Sequence, residues 1–311
     1  MKINLIKKIL LIIILILIFT YLYCDSNIEF FGNSKKIKIS VLILLKNNEF
    51  YTKKLDFLFR QLERDSRYEF NYFIYENNSK DSTKEEIVKF LNNRKGRVIL
   101  ENMDKPKNFG SIISKERGEF MSTLRNNFKY LHGELDSDYS LLLDSDVIFC
   151  KSSFDKLMSQ INNINVMVTP FSFDGNFFIR TKGNLHYYDT LALITKDNIS
   201  YKETSNTCLY PKCKNCRLHR RRNKSKIPKK FLLNNDIEEV NAAFAGFCLI
   251  KTDVYNKINW EGTICEHHSF CEKVRNYGKI LLMNKTMVST VSDLNDEKTF
   301  RFIYKNVNKF N

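Results

Sequence analysis

From Lys38 to Leu45 the chain reads KISVLILL, a β-branched apolar run of the kind that parallel strands bury on both faces. Over Asn48–Glu63 the period changes: Tyr51, Leu55, Leu58, Phe59 and Leu62 fall at helical spacing. Tyr68–Tyr75 is aromatic-rich and predicts a second strand. Ser82-Thr-Lys-Glu85 has the form of a capping box and opens a helix through about Leu91. Arg97–Leu100 predicts a short third strand. Ile113–Leu131 predicts a longer helix with Phe120, Leu124 and Phe128 on one face. Tyr139–Leu143 predicts a fourth strand, Phe154–Ile161 a helix, Asn165–Thr169 a fifth strand, and Ala242–Ile250 a late one. This alternation predicts an α/β fold with a mostly parallel sheet and helices on both faces. In such sheets ligands bind beyond the carboxyl ends of the strands.

The N-terminus has a different pattern. Lys2, Lys7 and Lys8 precede Ile9–Cys24, 16 residues without a charge. As a helix they span about 24 Å, short of a hydrocarbon core of roughly 30 Å unless lysines snorkel or the membrane is thin. Thr20–Cys24 offers a poor cleavage site, which favours a signal-anchor over a cleaved signal. The preceding lysines then predict a cytoplasmic tail over 1–8, a transmembrane helix over 9–24 and a lumenal body. That arrangement predicts a single-pass type II membrane protein of the Golgi or endoplasmic reticulum. Residues 25–37 read as a stem and 38–311 as the folded domain. Two sequons, Asn77-Asn78-Ser79 and Asn198-Ile199-Ser200, suit a lumenal body.

The composition, 43% hydrophobic and 27% charged, excludes a wholly disordered chain. Ten of the net +15 charges lie between Pro211 and Lys230, which leaves +5 for the rest. That run, inside an insert at about 205–232, reads either as a grip for nucleic acid, anionic membrane or acidic glycan, or as a solvated loop. It lacks the aromatics that stack on bases. Cys208, Cys213, Cys216 and His219 have zinc-knuckle spacing. Disulfides are the alternative use of the eight cysteines in an oxidising lumen. Cys24 reads as a palmitoylation site or simply a membrane residue.

Three motifs carry candidate chemistry. Leu141-Leu-Leu-Asp144-Ser145-Asp146 ends an apolar strand in two carboxylates, a hard-oxygen pair suited to Mn²⁺ or Mg²⁺ with substrate phosphates. The triplet Asp136-Ser137-Asp138 precedes that strand, so position singles out the later pair. At the end of the second strand, Tyr75-Glu76-Asn77-Asn78 can read a nucleobase edge or ribose hydroxyls, while Asp81 and Ser82 cap the next helix. Late in the chain, Ala245-Gly246-Phe247 is followed by Cys265-Glu266-His267-His268. Glu266 is a candidate general base or holder of an acceptor hydroxyl, and His267 or His268 a candidate nitrogen ligand to the metal.

Taken in this order, the motifs and Arg125-Asn126 on the preceding helix make the chain resemble GT-A fold glycosyltransferases over about Ile39–Val291. The nearest likeness is the fungal capsule-associated mannosyltransferase family, with the Anp1-type Golgi mannosyltransferases more distant. The resemblance implies a Rossmann-like GT-A sheet, a GDP- or UDP-sugar donor, a divalent metal and a glycan or glycoprotein acceptor. It implies that Asp144 and Asp146 handle metal and diphosphate, with Asp146 among the catalytic groups. Glu76 and Asn78 would hold the nucleoside side, Arg125 the donor phosphates, and Glu266 with His267 the late acidic element. The Cys208–Lys230 insert departs from the family pattern. Two other function classes stand beside this reading: an inactive nucleotide-sugar- or glycan-binding protein of the same fold, and a basic nucleic-acid-binding protein.

Overall fold

A computed structural model describes residues 35–102, 113–200, 204–205, 207–210, 216–222, 235–262, 264–292 and 294–311. All elements below lie in one compact unit, Ile37–Asn311. The expected tail, transmembrane helix and most of the stem lie outside the described residues, as do Cys24, Cys213 and most of the basic run. Among the described residues no helix is long and apolar enough to cross a membrane.

The chain order is β1 (Ile37–Leu45), α1 (Glu49–Glu63), β2 (Tyr68–Asn77), α2 (Thr83–Leu91), β3 (Gly96–Glu101), α3 (Lys115–His132), β4 (Tyr139–Asp144) and β5 (Val147–Ile148). Next come α4 (Lys151–Met158), β6 (Asn165–Asp174), α5 (Gly175–Arg180), β7 (Ile194–Thr195), α6 (Arg217–Arg222), β8 (Ile237–Ala242) and β9 (Phe247–Lys251). The chain closes with α7 (Thr252–Lys257), α8 (Glu266–Val274), β10 (Lys279–Thr290) and α9 (Glu297–Phe310). The strands form one sheet in the order β3-β2-β1-β4-β9-β6-β10-β8-β7, with β5 on β10.

The sheet is parallel where the apolar runs predict it. β3, β2, β1 and β4 pair in parallel, with Leu44 opposite both Tyr75 and Asp144. Beyond β4 it becomes mixed: β9 is antiparallel to both β4 and β6, and β8 is antiparallel to β10 and β7. The expectation of a mostly parallel sheet therefore holds from β3 to β4 and again for the β6–β10 pair, and fails around β9 and β8. The reason is local. The expected strand Ala242–Ile250 is two strands, β8 and β9, parted by a turn whose Ala245 and Gly246 have φ +62° and +66°. Phe247 N–H donates to Phe244 C=O at 3.4 Å to close that turn, and the chain leaves it antiparallel to β4.

Helices cover both faces. On β2 the rings of Phe70 and Tyr72 meet Phe59 of α1, whereas Phe73 and Tyr75 meet His132 and Phe128 of α3. Side chains alternate across a strand, so these odd and even positions report opposite faces. Each such aromatic pair is worth about 0.5–1.5 kcal/mol beyond its buried area. Ser82 precedes α2 but makes no side-chain cap bond. Asp81 does the capping, accepting from Thr83 N–H at 3.2 Å and Thr83 Oγ1 at 2.6 Å.

Candidate active site

The four parallel strands bring their carboxyl ends to one edge, and a cavity of about 700 Å³ opens there. Asn47, Asn48, Asp81, Ser145, Asp146 and Ser292 are among the residues lining it. The loops around it are tied together by short polar side chains. Asn47, at φ +48°, accepts from Lys80 N–H at 2.8 Å, and its own N–H donates to Ser79 Oγ at 2.8 Å. Asn48 Nδ2 donates to Ser145 Oγ at 3.0 Å and also to the Ser145 carbonyl.

The Asp144-Ser145-Asp146 turn is fixed from several sides. Asp144 N–H donates to Gly246 C=O at 2.8 Å, and Val291 N–H donates to Asp146 C=O at 2.9 Å. Tyr51 Oη donates to Val147 C=O at 2.7 Å. Two acidic side chains are thus set on a backbone anchored to β9, β10 and α1. Such preorganisation is what a charge-stabilising site requires.

Behind this turn lies a buried ion-pair network. Arg125, on α3, is itself buried; its Nη2 is 3.4 Å from Asp144 Oδ1 and its Nε 3.4 Å from Glu266 Oε1. The guanidinium sits 5.0 Å from the Phe244 ring centroid and 4.8 Å from that of Trp260. Arginine suits this role because its planar fork stacks and pairs at once. Burial raises the Asp144 carboxyl above its ordinary value, against the pull of Arg125. Burial also raises Glu266, but His267 and Arg125 more than reverse this and hold it low. Burial pushes His267 down to about 3. Arg125 is the permanent cation beside Glu266.

The structure brings Arg125, Asp144, Glu266 and His267 into one connected group. His267 stacks on Phe244 at 3.9 Å and places Nε2 3.5 Å from Glu266 Oε1. Its contacts are those of a packed ring. His268 meets the Leu191 carbonyl at 2.8 Å through Nε2. Glu76 and Asn78 sit at the end of β2. Glu76 is fully buried: Oε1 accepts from Ser79 N–H at 2.6 Å, and Lys84 Nζ lies 3.7 Å from Oε2. Glu76 therefore shapes the loop, with Asn78 at φ +57°. Asp189 was not singled out by the sequence. Its Oδ2 accepts from Ala245 N–H at 2.7 Å, and burial, reinforced by Asp144 and Glu266, raises it to about 6. No local motif announces it, because Ala245, Asp144 and Glu266 lie far along the chain.

Among the described residues no group of three or more His, Cys, Asp or Glu side chains is placed to hold a metal ion. The carboxylates that fit one are Asp144 and Asp146. About a third of the Asp144 side chain is exposed, 35%, and Asp146 lines the open cavity. Two hard-oxygen donors with room for phosphate oxygens and water match Mg²⁺ or Mn²⁺. At the insert, Cys208 and Cys216 are buried together against Phe177, Tyr210 and Leu218. Cys213 and the His219 side chain lie outside the described residues.

No protein-family model matches the sequence, and no curated protein matches it. Solved structures of similar shape include the mannosyltransferase PcManGT of Pyrobaculum calidifontis in complex with GDP-Man and Mn²⁺. That likeness has 7% identity and a TM-score of 0.42, and covers 86% of this chain and 60% of that one. TarS of S. aureus gives 14% identity and a TM-score of 0.45 over 88% of this chain and 65% of that one. Glucosyl-3-phosphoglycerate synthase of M. tuberculosis gives 11% and 0.42 over 88% and 79%. These likenesses are loose, and the functional reading rests on the residues of the site.

Proposed function

We propose that this chain is a metal-dependent glycosyltransferase that moves a sugar from a nucleotide-sugar donor to a hydroxyl group of a glycan or glycoprotein. The observation that carries this reading is the Asp144-Ser145-Asp146 turn. It is clamped by β9, β10 and Asn48 at the open ends of the parallel strands, with Arg125 at its back. Transfer breaks a sugar–diphosphate bond, so charge develops on the departing phosphates. A divalent cation held by Asp144 and Asp146 would neutralise part of that charge. The Glu76–Asn78 loop and Asn47 form the wall facing the nucleoside. Arg125 holds Asp144 in place rather than reaching the phosphates itself, since its guanidinium is enclosed between Phe244 and Trp260. In this reading the donor is a hexosyl nucleotide, with GDP-mannose first among those to test. The chain is anchored by Ile9–Cys24 as a type II membrane protein with its domain in the Golgi or endoplasmic-reticulum lumen.

The test is release of nucleotide by the full chain from GDP-mannose, UDP-glucose, UDP-galactose, UDP-xylose and UDP-GlcNAc, with Mn²⁺ and with EDTA. One donor should be turned over with Mn²⁺ and not with EDTA. Asp144→Asn and Asp146→Asn should each abolish that turnover. Binding of a donor without turnover would favour an inactive sugar-nucleotide-binding protein, and turnover surviving in both variants would sink the metal assignment.

A further inference from the structure

Resting on the glycosyltransferase reading, we propose that Asp189 is the group that takes the proton from the acceptor hydroxyl, and that Glu266 instead positions Arg125. Among the acidic side chains gathered near Asp144, Glu266 was the obvious base, but its surroundings do not suit that task. Only 2% of its side chain is exposed; Oε1 lies against Arg125 and His267, and Oε2 is buried without a hydrogen-bond partner. A hydroxyl arriving from solvent meets Glu266 only if the Arg125 network opens. Asp189 is less enclosed and stands beside exposed Tyr188. It is held by backbone N–H groups, Ala245 to Oδ2 at 2.7 Å and Ala192 besides.

Its placement follows from the sheet order. β3, β2 and β1 lie on one side of β4, and β9 and β6 on the other. A nucleoside over the ends of β1 to β3, with its diphosphate at Asp144 and Asp146, directs its sugar toward the β9–β6 side. Asp189 belongs to the segment that follows β6 and α5. A single turn couples it to the diphosphate end: Ala245 N–H donates to Asp189 and Gly246 C=O accepts from Asp144 N–H. Sugar and base are thus registered to each other through two adjacent residues.

The step balances as a single displacement. The acceptor O–H proton moves to the Asp189 carboxylate while its oxygen bonds to the anomeric carbon. The bond from that carbon to the diphosphate oxygen breaks, and the nucleoside diphosphate leaves with the electron pair. The groups facing Asp189 are Asp144, Glu266, Cys265, Cys271, Tyr187 and Tyr188. Burial first, then the anions Asp144 and Glu266, raise the Asp189 carboxyl to about 6. A base must be ionised to act, so the wild-type rate has an acid limb set by Asp189.

The experiment uses the full chain with the same five donors and Mn²⁺, and compares water with azide as the nucleophile. Azide needs no proton removed. Asp189→Asn keeps one oxygen for Ala245 N–H. It should slow release to water by about 10²–10⁴-fold, while release to azide and donor binding stay at wild-type levels. Asp189→Glu should keep partial activity and retain the acid limb of the pH profile. Wild-type release to water in Asp189→Asn overturns the assignment. Loss of azide transfer as well assigns Asp189 a structural role and overturns it too. If the wild type releases nucleotide from no donor, the glycosyltransferase reading falls and this inference falls with it.

Discussion

Gly246→Ala tests how tightly the turn governs the site. Gly246 has φ +66°, and a Cβ there would sit 2.7 Å from Val147 Cγ2, 3.4 Å from Asp144 Oδ2 and 3.5 Å from Asp144 Cβ. Val147 is fully buried and paired to β10 through Thr290, so it has little room to move. Gly133 supplies the control: its φ is +72°, but nothing lies within 4 Å of an added Cβ. Both substitutions pay a backbone term of about 1–3 kcal/mol. Gly246→Ala adds an overpacking term of about 1–3 kcal/mol. At roughly 2–4 °C per kcal/mol for a domain near this size, the difference is several degrees in Tm, readable by circular dichroism. Val147 directly follows Asp146 and is the residue that must move, so Mn²⁺-dependent donor binding measured by calorimetry should weaken in Gly246→Ala and not in Gly133→Ala. Equal melting of the two variants, with unaltered donor binding in Gly246→Ala, would refute the claim that Gly246 sets the Asp-Ser-Asp turn through Val147.

Arg125→Ala strands Glu266 as a buried carboxylate without its cation and should cost about 3–5 kcal/mol in denaturant unfolding. Adding Glu266→Gln should recover part of that loss, and a double variant no better than the single one would contradict the pairing. Glu266 is held below its ordinary value of 4.5 in the folded state. Its contribution to stability is therefore present above pH 4.5 and disappears as the pH falls through the lower folded value. Melting curves of wild type and Glu266→Gln should diverge above that window and converge below it. Asn48→Ala removes the side-chain bonds to Ser145. At about 1 kcal/mol per bond, it should lower Tm modestly but weaken donor binding more, and unchanged donor affinity would show that the Asp-Ser-Asp turn holds itself.

Local pattern was enough for the parallel half of the fold. KISVLILL, the aromatic run of β2 and LLLD each form a strand where the period predicts one, because each buries residues drawn from its own few positions. The same logic placed Asp144 and Asp146 at a strand end. It failed at Ala242–Ile250, where Ala243, Phe244 and Ala245 continue an apolar run without a break. The reversal there comes from a positive φ at Ala245, a residue that gives no turn signal and ordinarily avoids that region. What holds it is tertiary: Asp189, 56 residues earlier, accepts the Ala245 N–H, and the Asp144 N–H binds the next carbonyl. Arg125 and Glu266, 141 residues apart, were each legible as candidates but not as partners. The elements of this site are written locally, but the roles of its side chains are assigned by long-range pairs. A carboxylate's part in the chemistry follows from which cation or backbone group reaches it. That is why Glu266, set in the more suggestive motif, ends up enclosed beside Arg125, while Asp189, set in no motif, is tied to the turn that holds Asp144.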